Sequence, residues 1–147
     1  MAFQYIQLSN TTGIGAVAAG DLVPLGAVTR SFMCSGAAQP TFVVGTTGSN
    51  TITITDCGVY EVEFNASVVA GAAGVVTLNL TQNGAVVATA SQTATAADDT
   101  ENLSITYLIR VFPNIGGFSN APSTIQVLNT GVALTGGTSN IIVRRIK

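Results

Sequence analysis

The 147-residue chain contains no histidine and no tryptophan. Without histidine, neither a Ser-His-Asp nor a Cys-His catalytic arrangement can be assembled, and no imidazole-ligated zinc or iron site can form. Cysteine is nearly absent: Cys34 and Cys57 are the only two, too few for a tetrahedral thiolate centre within one chain. Their spacing is compatible with one disulfide and equally with two free thiols. Charge is scarce. Asp, Glu, Lys and Arg make up 8% of the chain, where an average soluble domain has roughly 25%. The surface must therefore be built largely of Ser, Thr, Asn, Gln and Gly, which cost little to desolvate and so favour contact with further copies of the chain.

The net charge is −2, and three of the five cations, Arg144, Arg145 and Lys147, end the sequence. No basic stripe exists to follow a phosphate backbone, which argues against a nucleic-acid partner, and the terminal trio reads most simply as a solvated end. No apolar run approaches the roughly 20 residues of a membrane helix. Met1-Ala2-Phe3-Gln4 opens without the basic and then apolar segments of a secretory signal. The expectation is a protein made and folded in a cytoplasm, with no membrane partner, that reaches a surface by assembly rather than by secretion.

What is present is alternation. In Gly58-Val59-Tyr60-Glu61-Val62-Glu63-Phe64-Asn65-Ala66-Ser67-Val68-Val69 the even positions from 60 onward are apolar, and positions 61, 63, 65 and 67 are polar. Neighbouring side chains of a strand point to opposite faces, so this is a strand with one dry and one wet face. Residues 3–8, 41–44, 51–55, 75–82, 85–90, 103–112, 122–130 and 140–146 read as further strands. Residues 21–30 read as an edge or bulged strand, because Pro24 and Gly26 interrupt them. Residues 9–15, 31–40 and 45–50 read as links, 16–19 as loop, and 131–137 as a turn with a short strand. Between 75–82 and 85–90 stands Asn83-Gly84, the strongest short hairpin signal, since both residues tolerate positive φ. About ten short strands with regular turn signals and no amphipathic helix predict an all-β, two-sheet sandwich. The length suits one domain, 1–147, with the strands and loops of 1–50 preceding a core over 51–146. An immunoglobulin domain would bring a Cys…Trp…Cys core; a jelly roll fits the strand number better.

Residues 58–64 resemble the Gly-x-Tyr-x-Val-x-Phe strand of the tumour-necrosis-factor-like superfamily, which includes complement globular heads and bacterial and phage stand-alone members. The stretch 75–90, with its Asn-Gly hairpin, is similar to the family's following strands. Ile125-Gln126-Val127-Leu128-Asn129 matches a late Ile-x-Val-x-Asn strand. Asn140-Ile141-Ile142-Val143-Arg144-Arg145-Ile146 resembles the closing strand of bacterial and phage members. The resemblance covers residues 50–146. It implies a jelly roll of two antiparallel sheets packed as a compact homotrimer, in which Tyr60, Phe64 and Tyr107 are core or trimer-interface aromatics. It also implies a structural role in a phage virion, as capsid decoration, head fibre or fibre head, with other virion or surface proteins as partners.

Other residues suggest chemistry on their own. Asp98, Asp99 and Glu101 in one loop could attract calcium, yet the EF-hand pattern is missing and a solvated loop tip is the simpler reading, so no metal or cofactor is expected. Glu61 and Glu63 share a strand face at about 7 Å, a spacing used in glycoside hydrolysis; a polar strand face is the commoner reason for such a pair, and no enzyme activity is expected. The Gly-rich stretch 113–120 offers Asn114 and Phe118, beside Phe112, as a ligand loop. The alternative to the virion role is accordingly a carbohydrate-binding or cell-surface adhesion module. Four Asn-x-Ser/Thr triplets begin at Asn10, Asn65, Asn79 and Asn102, as expected by chance in so Ser- and Thr-rich a chain.

Overall fold

Strict alternation over residues 60–68 places Tyr60, Val62, Phe64, Ala66 and Val68 on one buried face, with Tyr60, Val62, Phe64 and Val68 fully inaccessible. The same rule orders the rest of the computed structural model, which describes residues 4–32, 41–45, 49–113 and 115–147. Its strands are β1 (Tyr5–Asn10), β2 (Ala27–Phe32), β3 (Phe42–Val44), β4 (Ile52–Ile54), β5 (Gly58–Ala70), β6 (Gly74–Gln82), β7 (Ala85–Ala94), β8 (Thr100–Val111), β9 (Ser123–Asn129) and β10 (Leu134–Arg145). They form two five-stranded sheets, β2-β1-β10-β5-β8 and β3-β4-β9-β6-β7, with every pairing antiparallel. Chain neighbours such as β4 and β5, or β8 and β9, lie in different sheets, which is the crossing pattern of a jelly roll.

The core fills the space between the sheets. Tyr60, Val62 and Phe64 of β5 belong to the same cluster as Leu78 and Leu80 of β6 and Ile125 and Val127 of β9. Residues 14–26 close one side of the sandwich by passing from one sheet to the other. Val17 N donates to Leu134 O at 3.0 Å in the first sheet, and Val23 N donates to Val127 O at 2.8 Å in the second. Ile14, Val17, Val23 and Leu25 are buried along this path. The expected strand over 21–30 therefore begins only at Ala27. Pro24 and the positive φ of Gly26 (88°) shape the segment before it into a bridge between sheets. In place of the expected link from residue 31, β2 continues through Phe32.

The end of the chain departs most from expectation. Residues 134–145 form one strand rather than a turn, a short strand and a separate closing strand. The Gly136-Gly137 pair lies inside that strand, where the register with β5 shifts next to Leu134 and Gly136. A Cβ on Gly137 would overlap Ser67 O and sit 2.7 Å from Val68 Cα, at a φ of 133°. The glycine permits close backbone approach rather than marking a turn.

The Asn-Gly hairpin is present between β6 and β7, with φ of 52° at Asn83 and 82° at Gly84. Asn83 is also tied to β9: its Oδ1 accepts Thr124 N at 2.8 Å, and its own N donates to Thr124 O at 2.9 Å. Asn83→Ala loses both the residue type that tolerates positive φ and the side-chain acceptor, and is expected to cost about 1–2 kcal/mol in urea unfolding. A change below the error of the fit would contradict this account of the turn.

Candidate functional site

The odd-numbered residues of β5 lie on the outward face of the first sheet. There Arg144 stands opposite Glu61 in the β10 register. Arg144 Nε donates to Glu61 Oε1 at 2.7 Å, its Nη2 contacts the same oxygen, and Nη2 also donates to Glu63 Oε2 at 3.2 Å. The Glu61 carboxylate raises the Arg144 pKa further above its ordinary value. The two carboxylates are thus drawn together by one guanidinium from the neighbouring strand.

Beyond this cluster the face carries amide and hydroxyl side chains. Asn140 Oδ1 accepts from Gln7 Nε2 at 2.8 Å and Ser9 Oγ at 2.7 Å, and Ser104 Oγ donates to Asn65 Oδ1 at 2.7 Å. Between these pairs is a shallow open depression of about 470 Å³, with Ser67, Asn102 and Thr138 also on its wall. Apolar groups flank the polar ladder. Tyr5 and Phe32 stack at 6.5 Å between ring centroids, and Leu108 is 57% exposed. This face combines an ion cluster of two carboxylates on one guanidinium, uncharged polar groups and exposed apolar side chains.

Of the aromatics singled out in the sequence, Tyr60 and Phe64 lie wholly inside the sandwich. The Tyr60 hydroxyl donates to Asp56 O at 2.8 Å, and the ring meets Phe42 edge-on at 5.9 Å. Burial pushes its pKa up to about 12. The phenol is held neutral in the folded state, so its stabilising contribution is complete below pH 10 and is lost as pH rises toward 12. Tyr60→Phe should therefore lower stability by about 1 kcal/mol at neutral pH, from the lost hydrogen bond, and flatten the fall in melting temperature above pH 10. An unchanged alkaline slope would contradict the assignment. Tyr107, expected as a core or trimer-interface aromatic, has the parity of buried Ile105 and Ile109 but is 39% exposed on β8, the edge strand of its sheet.

Phe118 lies at a hairpin tip. Ile115 and Phe118 exchange backbone hydrogen bonds across Gly116 and Gly117, whose φ values are 62° and 89°. Ile115 is 61% and Phe118 76% exposed. Asn114 lies outside the described residues, as does Cys34; Cys57 is a free, half-buried thiol. The hairpin base depends on Asn120, which the sequence reading did not single out. Its Oδ1 accepts Phe112 N at 2.7 Å and its Nδ2 donates to Arg110 O at 2.8 Å. No periodic pattern marks a residue whose role is to bond two backbone groups eight and ten positions earlier.

In the acidic loop, Asp99 Oδ2 accepts Thr95 Oγ1 at 2.7 Å, Thr95 N at 2.8 Å and Ala96 N at 2.9 Å. These bonds, led by that of the Thr95 hydroxyl, lower the Asp99 pKa. The carboxylate shapes the turn, and among the described residues no group of acidic, Cys or His side chains is arranged to hold a metal ion. Asn10 and Asn79, two of the Asn-x-Ser/Thr asparagines, are buried.

No family model matches this chain, and no curated protein matches it. Its fold, however, has close counterparts among solved structures. An Eiger TNF from S. frugiperda superposes with a TM-score of 0.74 at 14% identity, covering 100% of this chain and 94% of that one. The chain has the tumour-necrosis-factor-like jelly-roll fold. The PRD1 vertex protein P5 shares this fold at a TM-score of 0.60 and 17% identity, covering 98% of this chain and 97% of that one. The globular domain of the zebrafish complement 1qA protein does so at 0.59 and 11%, covering 94% of each chain. Jelly rolls of this type thus include a TNF, a vertex protein and a complement globular domain, so the fold alone does not assign a role.

Proposed function

We propose that the protein is a non-enzymatic structural component of a phage particle, working as a homotrimeric jelly roll in capsid decoration, a head fibre or a fibre head. The observation that carries this reading is the match to the PRD1 vertex protein P5 along nearly the whole of both chains. The outward face of the first sheet supports self-association. In its ion cluster Arg144 offsets one of the two carboxylates, and its other polar groups are mostly uncharged, so covering it with a second copy strands few charges. Exposed Leu108 and the Tyr5–Phe32 stack supply apolar area to bury. Other proteins of the same particle would be its remaining partners.

Immunogold labelling of purified particles tests the placement. Antibody to this chain should mark regular positions on the particle surface; its presence only in unassembled lysate would overturn the reading. The Ile115–Phe118 tip favours a second role, adhesion to a carbohydrate or cell-surface ligand. Two large apolar side chains held out on a tight turn are poorly explained by folding alone.

A further inference from the structure

Outside the Arg144 cluster, acidic residues gather at one end of the sandwich and basic residues at the other, where Asp56 is the carboxylate among them. Asp98, Asp99 and Glu101 stand at the start of β8. Arg110 stands near its end, close to Arg145 and Lys147 at the end of the chain. Glu101 and Arg110 lie on one strand, about 30 Å apart at the strand rise. Three of the five cations in the chain therefore meet at one end, around a depression of about 310 Å³ between the start of β5 and the ends of β8 and β10.

The walls of this depression are held in place. Arg145 Nη2 donates to Cys57 O at 2.7 Å and its Nη1 to Gln4 Oε1 at 3.4 Å, with Asp56 Oδ2 4.0 Å away. The Arg110 carbonyl accepts from both Asn120 Nδ2, at 2.8 Å, and Gln82 Nε2, at 3.1 Å, which fixes the backbone beneath the guanidinium. That guanidinium lies 5.9 Å from the Phe112 ring centroid. Among the described residues, neither Arg110 nor Lys147 has a carboxylate within 4.0 Å. The hairpin bearing Phe118 rises from the same end. A chain with a net negative charge has thus gathered three cations around one depression, left the side chains of two of them without an ion pair among the described residues, and placed an aromatic ring beside them.

We infer that this end binds an acidic saccharide. A carboxylate or sulfate group meets Arg110 and Lys147, and the apolar face of the sugar ring lies on Phe112. A planar guanidinium presents parallel donors to such anions, and the volume is at the small end of the range for ligand sites, suited to one sugar unit. An anionic bilayer is the weaker fit, since each surface cation contributes only about 1 kcal/mol and the hairpin offers two apolar side chains. The inference rests on the adhesion reading above and gives that reading a ligand class.

The test uses the full chain with heparin, polygalacturonate and neutral dextran as probes, followed by calorimetry at low and physiological salt. Heparin and polygalacturonate should bind and dextran should not. The double variant Arg110→Ala/Lys147→Ala, and Lys147→Ala alone as a milder change, should weaken binding, the double by at least about tenfold. Arg30→Ala on β2, which removes the same charge from another strand, should leave binding unchanged. An equal loss in Arg30→Ala would mean general charge attraction and overturn the inference. If dextran binds as well as the acidic polymers and only Phe118→Ala abolishes it, the adhesion reading survives and the anionic site does not. If no polysaccharide binds, the inference falls, and the carbohydrate form of the adhesion reading falls with it. Capture by phosphatidylserine vesicles without polysaccharide binding would also overturn the inference in favour of a membrane surface.

Discussion

Phe64→Ala should destabilise the protein by about 3–5 kcal/mol. The ring is fully buried in the middle of β5, paired with Ile141 on one side and Ile105 on the other. Truncation removes its transfer free energy and leaves a cavity between two sheets that cannot close independently. A typical domain has about 5–15 kcal/mol in all, so the variant should lie near the edge of folding. If assembly and folding are coupled, subunit association should fail with it. Glu63→Ala changes the next residue on the opposite face. Glu63 gives up one half-exposed contact with Arg144, so the loss should stay within about 1 kcal/mol. Urea unfolding of both variants reads strand parity directly. A larger loss for Glu63→Ala than for Phe64→Ala would reverse the faces of β5 and of every strand registered on it.

The second large effect is expected at Asn129, which is fully buried at the end of β9. Its Nδ2 donates to Val132 O at 3.0 Å, Val17 O at 3.2 Å and Ala18 O at 3.4 Å, and its Oδ1 accepts Gly131 N at 3.1 Å. One amide therefore secures both the segment crossing between the sheets and the turn into β10. Asn129→Leu keeps the volume but removes the partners of Val132 O and Gly131 N, while Val17 O and Ala18 O keep Leu134 N and Asp21 N; at about 1–3 kcal/mol for each unpaired group the total is about 2–6 kcal/mol. Asn140→Leu is the control. It removes an amide that accepts two side-chain hydrogen bonds on the outward face, where water can replace them, and should cost about 1 kcal/mol or less. Equal effects at the two positions would show that Asn129 is not the tie described here.

These two residues also show what could be read in advance. Phe64 was legible because a strand's period of two is imposed on consecutive residues, and a single stretch reveals it. Asn129 was visible only as the last letter of an Ile-x-Val-x-Asn pattern; its partners at residues 17 and 18 are distant in sequence and are contacted through backbone atoms, which leave no mark on residue type. The Gly136-Gly137 pair was misread as a turn because a glycine needed for close backbone approach looks the same as one needed for a reversal. Glu61 and Glu63 were recognised as facing the same way, but Arg144 was not seen to join them, since the β5–β10 register follows from the whole sheet order. The basic end was equally hidden. Arg110 and the terminal cations are far apart in the chain, and only the antiparallel return of β10 along β5, next to β8, brings them together.

Self-association is central to the proposed role. Sedimentation equilibrium of the purified chain at micromolar concentration tests it most directly. The account predicts a single species of three times 14.9 kDa that persists at high salt, because the proposed contact face depends on uncharged and apolar groups. A monomer of 14.9 kDa across that concentration range would contradict it.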